Sequence, residues 1–159
     1  MDRESRIRGN NFFYRGEYQK AVEAFGQAIA AESGDATLHI NRGAAYAALG
    51  DYGQAIADCD RAIELDPNQV AAYNNRGLAY ASQGNHASAL KDYDRAAEID
   101  PGDPVIYHNR GASREARGDI ERALDDYDHA IALDAEYAQA FYARGSLHAQ
   151  LGNSEAAIA

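Results

Sequence analysis

Small and apolar residues recur along the chain at the spacing of α-helices, in paired segments separated by short polar breaks. In DYGQAIADCDRAIELD, residues 51–66, an i, i+4, i+7 stripe puts Ala55, Ile56, Cys59, Ala62 and Ile63 on one face. The segment before it, ATLHINRGAAYAALG at 36–50, has small and apolar residues at the same spacing. It ends on Gly50, suited to a left-handed position just past a helix end. DPNQ at 66–69 and DPGD at 100–103 break the pattern, because Pro stops a helix and Asp, Asn or Gly turns the chain. Strand signals are absent, so the expectation is an all-α chain with two helices per unit.

The unit has a fixed length. Gly9, Gly43, Gly77, Gly111 and Gly145 are each 34 residues apart, and Gly16, Gly50, Gly84, Gly118 and Gly152 keep the same step. Ala21, Ala55, Ala89, Ala123 and Ala157 form a third ladder, and Ala28, Ala62, Ala96 and Ala130 a fourth. Ladders that agree on one period mark a repeat protein. One array over residues 2–159 is expected, with units at about 2–35, 36–69, 70–103, 104–137 and a partial 138–159. A two-helix hairpin cannot bury its own apolar faces, so neighbouring units must stack.

This pattern resembles the tetratricopeptide repeat (TPR) family over essentially the whole chain. The family places a bulky residue at position 4, Gly or Ala at 8, an aromatic at 11, Ala at 20, an aromatic at 24, Ala at 27 and Pro at 32. The third unit supplies all seven in Tyr73, Gly77, Tyr80, Ala89, Tyr93, Ala96 and Pro101. The second departs in having His39 at position 4 and Cys59 at position 24. The first has Ser33 for Pro, and the fourth has Arg114 where an aromatic belongs and Ala135 for Pro. The small residues let helices approach closely, while the large ones fill the gaps beside them. The resemblance implies a right-handed superhelical solenoid of four full repeats and a truncated fifth, with first helices lining a concave face.

The 159 residues are 46% apolar and 25% charged, as in an ordinary globular protein. A net charge of −10 argues against nucleic acid or an anionic membrane as the main partner. Cys59 is the only cysteine, which excludes an intramolecular disulfide and points to a reducing, cytoplasmic setting. No secretory signal or membrane-spanning run is visible.

Catalytic and metal-binding patterns are missing. His39, His86, His108, His129 and His148 do not form HExxH or an i, i+4 ligand pair, so no metal or cofactor is expected. Asp58-Cys59-Asp60 and Asp126-Tyr127-Asp128 lack the Gly and distal Glu of a calcium loop. Cys59 has no base partner in sequence and reads as a core residue replacing an aromatic. A non-enzyme is expected.

Helical spacing places positions 2, 5, 6, 9, 12 and 13 of each first helix on one face. By the resemblance this face is the ligand-binding groove. Arg3, Arg6, Ile7, Asn10 and Phe13 come from the first unit, and Thr37, Ile40 and Asn41 from the second. Asn74, Asn75 and Leu78 follow from the third, Val105, His108, Asn109 and Glu115 from the fourth, and Tyr142 from the fifth. Asn41, Asn75 and Asn109 share position 6, and an amide that both donates and accepts can pair with the backbone of an extended peptide. This resembles the asparagine ladder in the repeats of the O-GlcNAc transferase. The alternative is that each Asn bonds to a neighbouring helix. Arg6, Asn10 and Asn41 also match three of the five positions with which some family members clamp a chaperone's C-terminal carboxylate. Ala71 and Asn75 hold the other two without charge. A ligand is therefore expected to place its acidic part near Arg3 and Arg6.

Arginine fills position 7 in every unit, as Arg8, Arg42, Arg76, Arg110 and Arg144. A partly buried guanidinium needs a partner. The second helices offer Asp58 and Asp60, Asp92 and Asp94, and Asp126 and Asp128. Own-repeat and preceding-repeat pairing are both open. The first unit has Ala24 and Gly26 instead, which leaves Arg8 without an in-repeat partner.

These readings converge on a non-catalytic module that binds a peptide or partner protein. Two further readings are a self-assembling homo-oligomeric scaffold, through exposed Phe141, Leu147 and Leu151, and the regulatory repeat domain of a larger enzyme.

Overall fold

The computed structural model describes residues 2–152. Ala157 and the rest of the fifth unit's second helix lie outside the described residues. Within them the chain forms nine α-helices and no strand. They are α1 (Asp2–Tyr14), α2 (Tyr18–Ala31), α3 (Ala36–Ala48), α4 (Tyr52–Leu65), α5 (Val70–Ser82), α6 (His86–Ile99), α7 (Pro104–Ala116), α8 (Ile120–Leu133) and α9 (Ala138–Gln150). Two compact units result, one from α1–α5 and one from α6–α9.

The second glycine ladder closes each first helix. Gly50 has φ +79°, a left-handed backbone that L side chains rarely adopt. Its N–H donates to the Ala47 carbonyl (3.0 Å) and the Asp51 N–H to the Tyr46 carbonyl (2.9 Å), the paired bonds of a Schellman motif. The same two bonds recur at Gly118 and Asp119. Asp51 then turns the chain directly into the next helix, its side chain accepting from the Gln54 N–H at 3.2 Å.

Three glycines of the first ladder set the close approach of helices within the hairpins α1–α2, α3–α4 and α7–α8. A Cβ on Gly9 would sit 2.6 Å from the Phe25 ring, and one on Gly111 2.7 Å from the Tyr127 ring. Phe25, Tyr127 and Cys59 are fully buried, so the aromatic or its replacement at position 24 packs on the bare backbone of position 8. Cys59 behaves as the core residue expected of it.

Between neighbouring hairpins, positions 3 and 10 of the first helix carry the contact. Leu38 and Ala45 of α3 bury against Ala21, Val22, Phe25 and Ala28 of α2. Leu147 of α9 buries against Ala123 and Tyr127 of α8. This corrects the expectation that Leu147 is exposed: position 10 faces the preceding helix and not solvent. Ile40 is likewise buried, with Ala36, Ala62 and Ala72, so it does not line an open groove. No helix among the described residues is long and apolar enough to cross a membrane.

Candidate functional site

The first-helix face divides into residues engaged by the fold and residues displayed to solvent. Arg3 is exposed. Arg6 is not a free cation, because its guanidinium donates to Asp35 and, at 3.4 Å, to Glu32 in the α2–α3 connection. Asp35 also caps α3, accepting from the Thr37 N–H at 2.8 Å. Partial burial pushes its carboxyl up, but Thr37 and Arg6 outweigh this and hold it below the usual carboxylate range. Of the two cations expected at this end, Arg6 is therefore neutralised within the chain and Arg3 stays exposed.

Asn41 donates to the Asn10 side chain at 3.4 Å, so the neighbouring-helix alternative applies at this rung. The two amides share a cleft of about 190 Å³ with Phe13, Tyr14, Phe25 and Ala44. Asn74 and Asn75 are half-buried on α5, where Leu78 is exposed. Asn109 is half-buried on α7. His108 stands between the rings of Tyr127 and Tyr137, with centroids 5.8 and 5.6 Å away. Burial pushes its imidazole below the usual range against the pull of Glu115. Glu115 accepts from the Tyr127 hydroxyl at 2.7 Å, which turns it from an exposed groove acid into part of the hairpin. Burial and that bond raise the Tyr127 phenol. Tyr142 projects from α9 with 80% of its surface exposed.

Beside exposed polar residues such as Arg3, Thr37 and Gln139, the displayed part of the face carries large apolar side chains. Ile7 (51% exposed), Tyr14 (86%), Leu78 (40%), Val105 (36%) and Tyr142 all sit at positions 2, 5, 6, 9 or 13 of their first helices. Tyr14 was not among the groove candidates. Its position 13 is one of the six on the groove face, so the helical spacing could have found it.

The position-7 arginines reach both candidate carboxylates. Arg42 clamps Asp58 of its own hairpin with Nε and Nη2, both at 2.7 Å, and the buried His39 joins through Nδ1 at 3.1 Å. Arg110 donates Nη2 to Asp126 of its own hairpin (2.7 Å) and Nη1 to Asp94 of the preceding helix (2.9 Å). Arg76 takes Asp60 at 2.5 Å and Arg144 takes Asp128 at 2.9 Å, both on preceding helices. Asp58 and Asp126, the first of their Asp-x-Asp pairs, tie their own hairpins, and Asp60, Asp94 and Asp128, the second, tie the next first helix. Every one of these pairs spans 16 residues, so with the two-residue step between the aspartates they close the 34-residue period. Arg8 does have an in-repeat partner after all: it donates to the Gln27 side chain. Among the described residues no group of three His, Cys, Asp or Glu side chains is placed to hold a metal.

The tetratricopeptide repeat family matches residues 36–69 and 70–103, and a second description, TPR repeat, matches residues 9–50 and 114–152. No curated protein matches the chain by sequence. Among solved structures, MamA from Desulfovibrio magneticus RS-1 superposes with a TM-score of 0.85 at 21% identity, covering 99% of this chain and 89% of that one. The first TPR of Spaghetti (RPAP3), solved bound to the HSP90 peptide SRMEEVD, gives 0.70 at 27% identity, covering 72% and 90%. YrrB, described as a TPR protein with an unusual peptide-binding site, gives 0.75 at 27%, covering 85% and 70%. With nine helices in this register and these matches, the chain belongs to the tetratricopeptide repeat family and has its all-α solenoid fold.

Proposed function

We propose that the chain is a non-catalytic interaction module that binds a peptide or partner protein along the outward face of its first helices. One observation carries this reading. Large apolar side chains stand in solvent at groove positions, as Ile7, Tyr14, Leu78, Val105 and Tyr142. Such exposure is costly in water unless a partner covers it. RPAP3 bound to an HSP90 peptide and YrrB with its peptide-binding site add weight, as relatives in fold that take peptides.

The ligand favoured is apolar in character. Arg6 is occupied by Asp35 and Glu32, and the clamp positions at Ala71 and Asn75 carry no charge. An acidic tail of the SRMEEVD kind would meet few free cations here. A net charge of −10 disfavours nucleic acid as the partner, and a cytoplasmic setting fits the single reduced Cys59. The self-assembly reading is weaker with Leu147 buried, and Leu151 at 47% exposure remains its support.

A peptide library panned against the protein tests the reading. Hits should be rich in aliphatic and aromatic residues and should be lost when Tyr14→Ser, Leu78→Ser and Tyr142→Ser are combined. Hits that survive this triple variant unchanged would sink it.

A further inference from the structure

The hairpin α7–α8 departs from the family pattern at Arg114, and no role on the first-helix face accounts for it. Position 11 carries Phe12, Tyr46 and Tyr80 in the three preceding units. In the fourth, a guanidinium takes the place of the ring. Arg114 donates Nη1 to Asp126 (2.7 Å) and to the Arg122 carbonyl (3.4 Å). Beside it lies a cleft of about 250 Å³ lined by Leu90, Asp94, Arg114, Arg117, Asp119 and Arg122.

The carboxylates around this cleft are already committed. Asp126 is almost fully buried and is shared by Arg110 and Arg114. Asp94 takes the remaining arm of Arg110, and Asp119 takes Arg122 at a long 3.4 Å. Four guanidinium groups (Arg110, Arg114, Arg117 and Arg122) thus meet three carboxylates (Asp94, Asp119 and Asp126), leaving one positive charge in surplus. The surplus stands out against a chain of net charge −10. Arg117 and Arg122 are exposed at the mouth, while Arg114 is only 20% exposed and fixed by Asp126. A guanidinium offers planar paired donors that match an oxyanion, and one held in place by a buried carboxylate loses little freedom on binding. The cleft is smaller than the ~300–1,000 Å³ of pockets for whole small molecules, so it suits a single group presented by something larger.

We propose that this cleft is an oxyanion-binding site, distinct from the first-helix face. It takes one phosphoryl or carboxylate group of a partner between Arg114, Arg117 and Arg122. Leu90 supplies an apolar wall that limits hydration around the bound group. The long Arg122–Asp119 contact is the one an incoming anion displaces most readily.

The test follows arginine side-chain NMR signals during parallel titrations of the full chain with inorganic phosphate and with acetate at constant ionic strength. Saturable shifts are expected at Arg114, Arg117 and Arg122. Arg61 and Arg95, exposed and paired with Glu64 and Glu98, are the internal controls and should drift without saturating. A response to phosphate alone assigns a phosphoryl partner, and a response to both assigns the shared carboxylate chemistry as well. Arg117→Gln combined with Arg122→Gln should weaken the Arg114 response at least tenfold. Arg122→Gln alone should weaken it partly, and serves if the double variant does not fold. Shifts no larger than those at Arg61 and Arg95, or an Arg114 response unchanged in the variants, overturn the proposal.

Discussion

The hairpins α3–α4 and α7–α8 share the Asn-Arg-Gly tripeptide and the Asp-x-Asp motif but fill the space around them differently. In α3–α4, Asp58 is held by Arg42 and by His39 at position 4, and Arg42 lies over the Tyr46 ring at position 11. In α7–α8, Asp126 is held by Arg110 and by Arg114 at position 11, and Arg110 lies over the Tyr107 ring at position 4. Donor and aromatic have exchanged places. The buried carboxylate keeps two side-chain donors and the guanidinium keeps one aromatic face in both. The repeat therefore conserves a set of interactions, while the residue that supplies each one can move. A second exchange accompanies it, since Cys59 lies on Gly43 where Tyr127 lies on Gly111.

The largest effect should come from removing the central carboxylate. Asp126→Ala strands two partly buried guanidinium groups and should cost about 3–5 kcal/mol of unfolding free energy in urea titration. Asp58→Ala should cost less, because one of its two partners is a histidine that can be neutral. Equal losses would mean that His39 and Arg114 are equivalent partners for the buried carboxylate, against this expectation. The next effect separates the two glycines. Gly111→Ala drives a Cβ to 2.7 Å from the Tyr127 ring and should cost about 1–3 kcal/mol, read as a lowered thermal midpoint. Gly43→Ala meets the Ala55 carbonyl at 3.2 Å and the Cys59 sulfur at 3.4 Å. These contacts are tight without being clashes, and a gain in helix propensity of about 1 kcal/mol offsets them, so the variant should stay near the parent's stability. The smallest effect uses the hairpin that lacks both aspartates. A Cβ on Gly26 would lie 3.7 Å from Arg42 Nη1, the arm that in Arg110 takes the preceding helix's Asp. Gly26→Asp should supply the missing tie and stabilise by about 0.3–1 kcal/mol, less at high salt. A destabilised variant would show that this junction does not admit the pairing used at the later ones.

Much of the hairpin was legible in the sequence because its causes are local. Gly50 and its equivalents end a helix through backbone bonds within six residues, and Gly111 with Tyr127 is one small and one large residue at a fixed offset. The face of the first helices was legible too, by spacing, down to Leu78 and Tyr142. What spacing did not reveal is which of those side chains the fold had already engaged. Arg6, Asn41 and Glu115 all lie on the expected face, yet each bonds to a partner 12 to 31 residues away. Leu147 was read as an exposed end, although position 10 points at the preceding helix wherever one is present.

By itself the sequence determined the period, the two helices of each unit, their ends and the close approach of position 8 to position 24. These follow from backbone geometry and side-chain size, which act over one or two turns. Only the tertiary structure decided how the arginine ladder is wired. An aspartate lies 16 residues from Arg110 in either direction, so sequence separation cannot choose between them. Distances across packed helices resolve it by using both, the first Asp inward and the second onward. The same distances show Arg6 and Glu115 bonded within the fold, while Ile7, Leu78 and Tyr142 on the first helices stand in solvent.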